Sequence, residues 1–134
     1  MSEENVELIR NAVDAWNREG IEAVVPFAAA DAVIYAFSEW PDDPIFRGKD
    51  GWRDLLNRWD DMLGDLVWES NRVIDTGDGV VLYLTLHGRP MGSDMPIAQM
   101  LGLWTRDFRG DGTIGEAHFF LTWDEASQAA GLSE

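Results

Sequence analysis

The spacing of apolar residues predicts two amphipathic helix faces in the first half of the chain. The first face ends near Gly20, and a short helix then begins at Ile21 and is broken at Pro26, because proline removes a backbone hydrogen bond. The second face belongs to a helix that Gly64 is well suited to end. The apolar positions are Val6, Ile9, Val13 and Trp16 in the first face, and Trp52, Leu55, Leu56, Trp59 and Met62 in the second.

Strand patterns occupy most of the remaining sequence. Residues 31–37 are β-branched and aromatic and predict a strand, whereas residues 38–50 contain two prolines and predict a loop. The four longer predicted strands are 66–74, 80–87, 97–108 and 113–122. Residues 123–130 predict a last short helix. Helices segregated from a largely antiparallel sheet define an α+β fold in one domain, 1–134. Because the helices can cover one sheet face, we expect the sheet to curl around them or to pair its other face with a partner.

Charge and composition exclude several classes of function. The 134 residues include 25 acidic and 10 basic ones, and the formal net charge of −15 disfavours binding to nucleic acid. The absence of cysteine excludes thiol catalysis, disulfides and thiolate metal sites. The chain starts without a signal-peptide pattern and its apolar stretch 23–30 is too short for a membrane span, so we expect a cytoplasmic protein without membrane contact. Seven tryptophans indicate a lined cavity, a broad interface or both.

Four segments spread over nearly the whole chain share motifs with one known group of proteins. They are 4–20, 46–51, 75–81 and 124–132. Through these segments the chain resembles the NTF2-like superfamily and, within it, the SnoaL-like group. The resemblance implies a cone, in which a strongly curved, largely antiparallel sheet wraps around the N-terminal helices. It also implies a homodimer through the outer sheet face, which is common in that group. We expect no cofactor.

The resemblance also allows the chemistry of the superfamily to be compared with this chain. Its members include ketosteroid isomerases, polyketide cyclases, dehydratases, epoxide hydrolases and binding modules without catalysis. By resemblance, an isomerase would have its base near Ala36, its tyrosine near Ala12 and its protonated acid near Gly102. A cyclase would have its aspartate near Phe119, and an epoxide hydrolase would need charged residues where 97–105 has none. The resemblance therefore predicts the fold but none of these reactions.

Alternation along the strands predicts which side chains point into the cone. The predicted inward residues are Val80, Leu82, Leu84, Leu86, Ala98, Met100, Gly102, Trp104, Ala117, Phe119 and Leu121. A shift of one residue would reverse every assignment. The shifted set contains Tyr83, Thr85, His87, Gln99, Glu116, His118 and Phe120. It would suit a dimer face or a polar site.

Two side chains are candidates for catalysis. His118 suits acid or base chemistry because imidazole exchanges protons near neutral pH, and the alternative is a hydrogen-bonded histidine on the outer sheet face or in a dimer interface. Tyr35 could direct its hydroxyl group at a ligand, and the alternative is a core aromatic residue with a solvated tip. His87, at a strand end, is expected to be exposed. Because the two histidines lie on different strands with no carboxylate at ligand spacing, no metal site is predicted.

The predicted site is an apolar pocket inside the cone. Its expected ligand-binding residues are Trp16, Tyr35, Trp52, Trp59, Leu82, Leu84, Met100, Trp104 and Phe119, and the acids expected near its mouth are Glu39, Asp42 and Asp43. The favoured function is to hold a small apolar molecule. One alternative is an enzyme of the cyclase, isomerase or dehydratase kind that acts on a hydrophobic molecule through His118 or Tyr35. The other is a homodimeric assembly module without catalysis.

Overall fold

The secondary structure follows the predicted order of helices, strand, helix and strand meander. The computed structural model describes residues 2–36, 44–90 and 92–132. Its helices are α1 (Ser2–Glu19), α2 (Ile21–Val24), α3 (Gly48–Met62) and α4 (Trp123–Ala129), with a 3-10 turn at Val25–Phe27. Its strands are β1 (Ala28–Tyr35), β2 (Ile45–Arg47), β3 (Leu63–Asp75), β4 (Gly79–Pro90), β5 (Ile97–Phe108) and β6 (Ile114–Phe120). No helix in the described ranges is long and apolar enough to cross a membrane.

Six described strands form one curved sheet in the order β2-β1-β6-β5-β4-β3. Neighbouring strands run antiparallel, except that β1 and β6 are parallel. This confirms the predicted α+β class with a largely antiparallel sheet. The β1–β6 pair brings the first strand of the chain beside the last, so the helices that precede and follow β1 lie against the later meander.

Helices α1 and α3 cover the inner face of the sheet. The predicted apolar faces are buried there, with Ile9, Val13 and Trp16 from α1 and Leu55, Leu56 and Trp59 from α3. Helix α1 is also fastened to β3 by one side chain. Asn17 donates from Nδ2 to the Trp68 carbonyl oxygen at 2.8 Å and accepts from the Trp68 backbone N–H at 3.0 Å.

Two element boundaries differ from their predictions. Strand β2 lies inside the predicted loop 38–50, because its three residues pair with β1 at the opposite end of that loop. The acids Glu39, Asp42 and Asp43 of the same loop lie outside the described residues. Gly64 does not end α3: Leu63 already has extended backbone angles (φ −129°, ψ 116°), so the chain passes from helix directly into β3.

Helix α4 covers part of the outer face of the sheet. The expectation that the helices cover one face only is therefore wrong. Ala126 packs with Val81 and Tyr83 on this face, and the Tyr83 hydroxyl group is hydrogen-bonded to that of Ser127. A Cβ atom on Gly102 would lie 2.4 Å from the Ala126 Cβ, so glycine at this position lets α4 approach the sheet.

The predicted inward faces of β4 and β6 are confirmed, and that of β5 is wrong. Leu82 and Leu84 on β4 and Phe119 on β6 are buried in the inner core. The β5 residues opposite Leu82 and Leu84 are Leu103 and Leu101, which are buried in the same core. The remaining inner-core residues of β4 and β6 are Val80, Leu86, Ile114 and Ala117, with Leu121, just after β6, packed against the core.

The predicted β5 set, Ala98, Met100, Gly102 and Trp104, therefore points to the outer face. The reason lies in the composition of β5, which has apolar residues among both its odd-numbered and its even-numbered positions. Period-two alternation tells which residues share a face, but it cannot tell which face is inner when both are apolar.

Candidate functional site

A small apolar cavity of about 50 Å³ lies between the helices and the inner face of the sheet. Helices α1, α2 and α3, the 3-10 turn and four strands, β1, β3, β5 and β6, all contribute to its wall. The lining residues are Ala12, Val13, Trp16, Val24, Phe27, Ala28, Trp52, Trp68, Thr105 and Ile114. None of these described lining residues has an ionisable side chain, so the wall presents neither charge nor a proton-transfer group.

Three tryptophans from three elements form much of this wall. Trp16 comes from α1, Trp52 from α3 and Trp68 from β3. The Trp16 and Trp68 ring centroids are 5.7 Å apart, and Trp52 meets Phe119 edge-to-face at 5.9 Å. These contacts, in the range preferred by aromatic pairs, hold the rings in place.

The polar side-chain groups of the lining residues are the Thr105 hydroxyl group and the indole N–H groups of Trp16, Trp52 and Trp68. The Thr105 hydroxyl group donates to the Val80 carbonyl oxygen at 3.0 Å. The indole N–H of Trp68 has no hydrogen-bond partner although its nitrogen is buried. Within the described part of the chain, the other buried side-chain nitrogen or oxygen without a partner is Trp104 Nε1, which belongs to an outer-face residue.

The residues expected to bind a ligand fall into three groups. Trp16 and Trp52 line the cavity. Trp59, Leu82, Leu84 and Phe119 are buried in the packed inner core beside it. Tyr35, Met100 and Trp104 point to the outer face, so the prediction that Met100 and Trp104 line the cone is wrong.

Most of the cavity wall was not among the predicted ligand-binding residues. The largest residue that was not predicted is Trp68, which belongs to a strand with exposed residues on both sides of it in sequence. Ala12, the position matched to the isomerase tyrosine, also lines the cavity. A small side chain there leaves space that a tyrosine ring would fill. The available signals were the single aromatic residue of β3, which is Trp68, and the small residue Ala12 in α1.

Tyr35 and His118 meet on the outer face. Their rings are stacked with centroids 4.5 Å apart, and Trp104 and Phe120 lie 5.4 and 6.5 Å from the imidazole. We call Tyr35, Trp104, Glu116, His118 and Phe120 the outer-face cluster. The predicted alternative for His118, a hydrogen-bonded histidine on the outer face, is confirmed.

Charged groups complete this cluster. His118 Nε2 lies 2.5 Å from a carboxylate oxygen of Glu116, which is also 3.5 Å from an Arg106 nitrogen. The Arg106 guanidinium group lies 4.9 Å from the centre of the Trp104 ring. The sheet separates His118 and Tyr35 from the inner cavity, so neither side chain can transfer a proton to a molecule held there.

The other ionisable residues do not form a second site. His87 is exposed, as predicted, and its Nε2 lies 2.7 Å from Glu69 Oε1. No three histidine, aspartate or glutamate side chains converge in a way that could hold a metal ion, within residues 2–36, 44–90 and 92–132. Of the positions matched to superfamily acids, Ala36 is buried in the inner core. Gly102 lies beneath α4, so its predicted inward orientation is wrong.

An open groove of about 590 Å³ lies on the surface between β1 and the start of α3, and it is larger than the inner cavity. Three of its lining residues are cations. Lys49 donates to the backbone oxygens of Val25 and Ala28, and Arg53 pairs with Glu22 and Asp50. Arg47 is exposed at the rim of the groove.

Known structures support the architecture described above. A protein with a ketosteroid isomerase-like fold from Catenulispora acidiphila, in complex with trimethylamine, is 17% identical over 95% of this chain and 94% of that chain, with a TM-score of 0.73. TerC co-crystallized with polyporic acid is 15% identical over 95% and 98% of the two chains, with a TM-score of 0.74. A candidate SnoaL-like polyketide cyclase from Shewanella denitrificans is 16% identical over 93% and 95%, with a TM-score of 0.69. At these identities the likeness shows the fold. No curated protein matches the chain significantly in sequence.

The fold and the cavity define an α+β cone with an apolar interior. The family model of the SnoaL-like domain matches residues 9–117, and the chain belongs to that family, within the NTF2-like superfamily. The resemblance stated from the sequence is thereby confirmed. The family is related to polyketide cyclases and isomerases.

Proposed function

We propose that this protein holds a small apolar molecule in its inner cavity. The lining carries the proposal: three tryptophans, several aliphatic residues and Phe27 surround the space. A well-formed apolar cavity with few polar groups is the usual form of a small-molecule site. Its volume of about 50 Å³ calls for a compact guest, since ligand pockets for drug-sized molecules measure roughly 300–1,000 Å³.

Binding is favoured over catalysis by the chemistry of the wall. A cyclase, isomerase or dehydratase needs a group that exchanges protons with its substrate. The described lining residues offer none, and His118 and Tyr35 lie across the sheet from the cavity. Two similar structures were obtained with small molecules, trimethylamine in one and polyporic acid in the other. They give a precedent for small-molecule binding in this fold.

The proposal can be tested with xenon as an atom-sized apolar probe. We expect saturable binding to the wild-type protein, observed by xenon NMR, because apolar cavities that stay dry accept xenon. Ala12→Leu should abolish it by filling the cavity, and Ala12→Val is the milder variant if leucine prevents folding. Ala129→Leu, at an exposed position of α4, is the matched control and should bind xenon normally.

Two results would contradict the cavity as a binding site. One is the absence of a saturable xenon signal in the wild-type protein. The other is unchanged binding in a folded Ala12→Leu or Ala12→Val variant, which would assign the xenon to another position.

We also propose that two copies of the chain pair through the part of the outer face that α4 leaves uncovered. Met100, whose exposed fraction is 54%, and Val67, at 47%, extend the apolar surface of the outer-face cluster on this side of the sheet. Apolar side chains at the centre of an interface supply much of its affinity. Self-association would bury them together with Tyr35 and Phe120.

A matched pair of methionines tests the dimer. Met100→Glu should shift the protein to the monomer mass in light scattering at micromolar concentration, because it introduces a charge into the interface. Met62→Glu changes a side chain with the same 54% exposure at the end of α3, and should leave the dimer intact. A wild-type monomer, or equal masses for both variants, would contradict this interface.

A further inference from the structure

We infer that the segment Ile21–Phe27, which consists of α2 and the 3-10 turn, is a hinged lid over the inner cavity, and that it opens to admit an apolar molecule too large for the closed space. The inference rests on the proposed function and deepens it, because it concerns access to the same cavity. Three observations carry it: the shallow packing of the segment, its glycine hinge, and the two cations of α3 that hold it closed.

The lid is a loosely packed part of the cavity wall. Helix α2 has four residues and none of them is buried, and the buried residue of the 3-10 turn is Val25. Val24 and Phe27 line the cavity. A helix this short has no stability of its own, and a segment with few buried apolar contacts opens at a low cost in free energy. The lid can therefore move without disturbing the packed core.

Gly20 forms the hinge at the start of the lid. Its φ of 88° is one that glycine adopts freely, and a Cβ atom there would have no neighbour within 4 Å, so no atom restricts rotation on that side. Its backbone N–H donates to the Trp16 carbonyl oxygen at 2.8 Å, which fixes the hinge to the end of α1. At its other end the lid enters β1 at Ala28, which is 3% exposed. Because both ends are anchored, the movement is confined to the lid.

Two cations one turn apart on α3 hold the lid against the rest of the protein. Arg53 Nε lies 3.1 and 2.9 Å from the two carboxylate oxygens of Glu22 in α2. The Lys49 ammonium group donates to the carbonyl oxygens of Val25 and Ala28 at 3.4 and 2.6 Å. The Arg53 and Glu22 side chains are 39% and 70% exposed, and an ion pair this exposed contributes little stability. These contacts therefore favour the closed position without locking it.

Opening the lid would join the cavity to a larger space beside it. A pocket of about 390 Å³ is lined by Ile21 and Glu22 of the lid, and Trp16 lines both this pocket and the cavity. Joined, the two spaces fall within the roughly 300–1,000 Å³ of common ligand pockets. Glu19, Glu22 and Asp60 place acids in the pocket, which disfavours an anionic guest. The described cavity wall has no ionisable side chain to pair with a cation, so the larger guest is neutral as well.

Two neutral probes of different size test the lid. Xenon fits the closed cavity, whereas N-phenyl-1-naphthylamine does not, and the fluorescence of the naphthylamine rises in apolar surroundings. Glu22→Gln removes the carboxylate that Arg53 holds and leaves the cavity wall unchanged. Glu7→Gln is the matched control, since it removes the acid of another exposed ion pair, with Arg10 on α1. Both glutamates are more than half exposed, so both variants should fold.

We expect Glu22→Gln to tighten naphthylamine binding by roughly twofold to fivefold, the range of one exposed ion pair, because the large guest binds the open state that this pair opposes. Xenon binding should stay unchanged, because xenon occupies the closed cavity. The backbone N–H of Val25, which is bonded to the Ile21 carbonyl oxygen, should exchange with solvent faster by the same factor. Glu7→Gln should change none of the three measurements.

The outcomes separate the inference from the proposed function. Ala12→Leu, or the milder Ala12→Val, should block both probes, which would place the naphthylamine in the cavity. The inference is overturned, while the proposed function stands, if xenon binds and the naphthylamine does not, if a folded Ala12 variant that blocks xenon still binds the naphthylamine, or if Glu22→Gln and Glu7→Gln behave alike. If neither probe binds the wild-type protein, the proposed function is overturned and the inference with it.

Discussion

At the scale of single residues, Asp107 shows how a side chain can explain an unusual backbone. It has a positive φ of 61°, a conformation that non-glycine residues rarely adopt. Its carboxylate accepts a hydrogen bond of 2.8 Å from Arg109, which also contacts Asp31 at 3.0 Å. Gly115 lies beneath this group, where a Cβ would come within 2.2 Å of the carboxylate. The arrangement ties the β5–β6 turn to β1.

The hydrogen bond from Arg109 lowers the pKa of Asp107 below its ordinary value. A carboxyl group whose pKa is lowered by folding stabilises the protein above its unfolded pKa, near 4, and that stabilisation is lost as the pH falls through the folded pKa. We expect Arg109→Met to raise the pKa of Asp107, measured by carbon-13 NMR titration. The variant should be less stable than wild type at pH 7, with the difference in urea midpoint disappearing at acid pH. An unchanged titration of Asp107 would contradict this account.

Asn17 provides a second prediction at this scale. Asn17→Ala removes both hydrogen bonds to the Trp68 backbone and should lower the free energy of unfolding by about 1–2 kcal/mol, measured by urea denaturation. Asn11→Ala, at an exposed position of the same helix, is the control for the change in helix propensity. Equal effects of the two substitutions would show that the bonds to β3 contribute nothing measurable.

At the scale of elements, helix α4 depends on both its own start and the sheet beneath it. Thr122 is the N-cap: its Oγ1 accepts the backbone N–H of Glu125 at 3.1 Å, and the same hydroxyl group donates to a Glu125 carboxylate oxygen at 3.2 Å. The cap fixes where the helix begins. Its position on the sheet is decided by Gly102, which leaves room for Ala126.

We expect Gly102→Ala to destabilise the protein by about 1–3 kcal/mol, because the new methyl group would overlap Ala126 and approach the Thr122 carbonyl oxygen at 3.1 Å. Gly64→Ala is the control, since the Cβ there would meet its nearest atom at 3.8 Å. In urea denaturation, Gly102→Ala combined with Ala126→Gly should lose less stability than the sum of the single changes. Strict additivity would mean that the two residues are not in contact.

At the scale of the whole molecule, the net charge of −15 opposes the compact state through self-repulsion. Salt screens this repulsion, with a screening length of about 30 Å at 0.01 M and 10 Å at 0.1 M. We expect the melting temperature to rise by a few degrees between about 10 mM and 300 mM sodium chloride. Sucrose at equal osmolarity controls for general solute effects. A melting temperature that falls with salt would show that attractive ion pairs outweigh the repulsion.

Much of the fold could be predicted because its signals are local. The spacing of Ile9, Val13 and Trp16 predicted α1, and the alternation of Leu82 and Leu84 predicted the inner face of β4. The short strand β2 could not be found in this way, since its three residues pair with β1 residues that lie ten to fourteen positions earlier in the chain, from Tyr35↔Ile45 (45 − 35) to Val33↔Arg47 (47 − 33). For the candidate site, Trp16 and Trp52 were predicted and Trp68 was missed.

The sequence by itself determined the order of the elements other than β2, the α+β class, the acidic composition and the family, since periodicity, composition and local motifs are properties of neighbouring residues. The tertiary structure alone decided which face each β5 side chain occupies and that His118 lies opposite the cavity. Helices cover both faces of the sheet, so apolar residues are stable on either side of β5 and hydrophobicity does not distinguish them. The cavity beside Trp68 likewise exists only where α1, α3 and the sheet meet, because its volume depends on how distant residues pack.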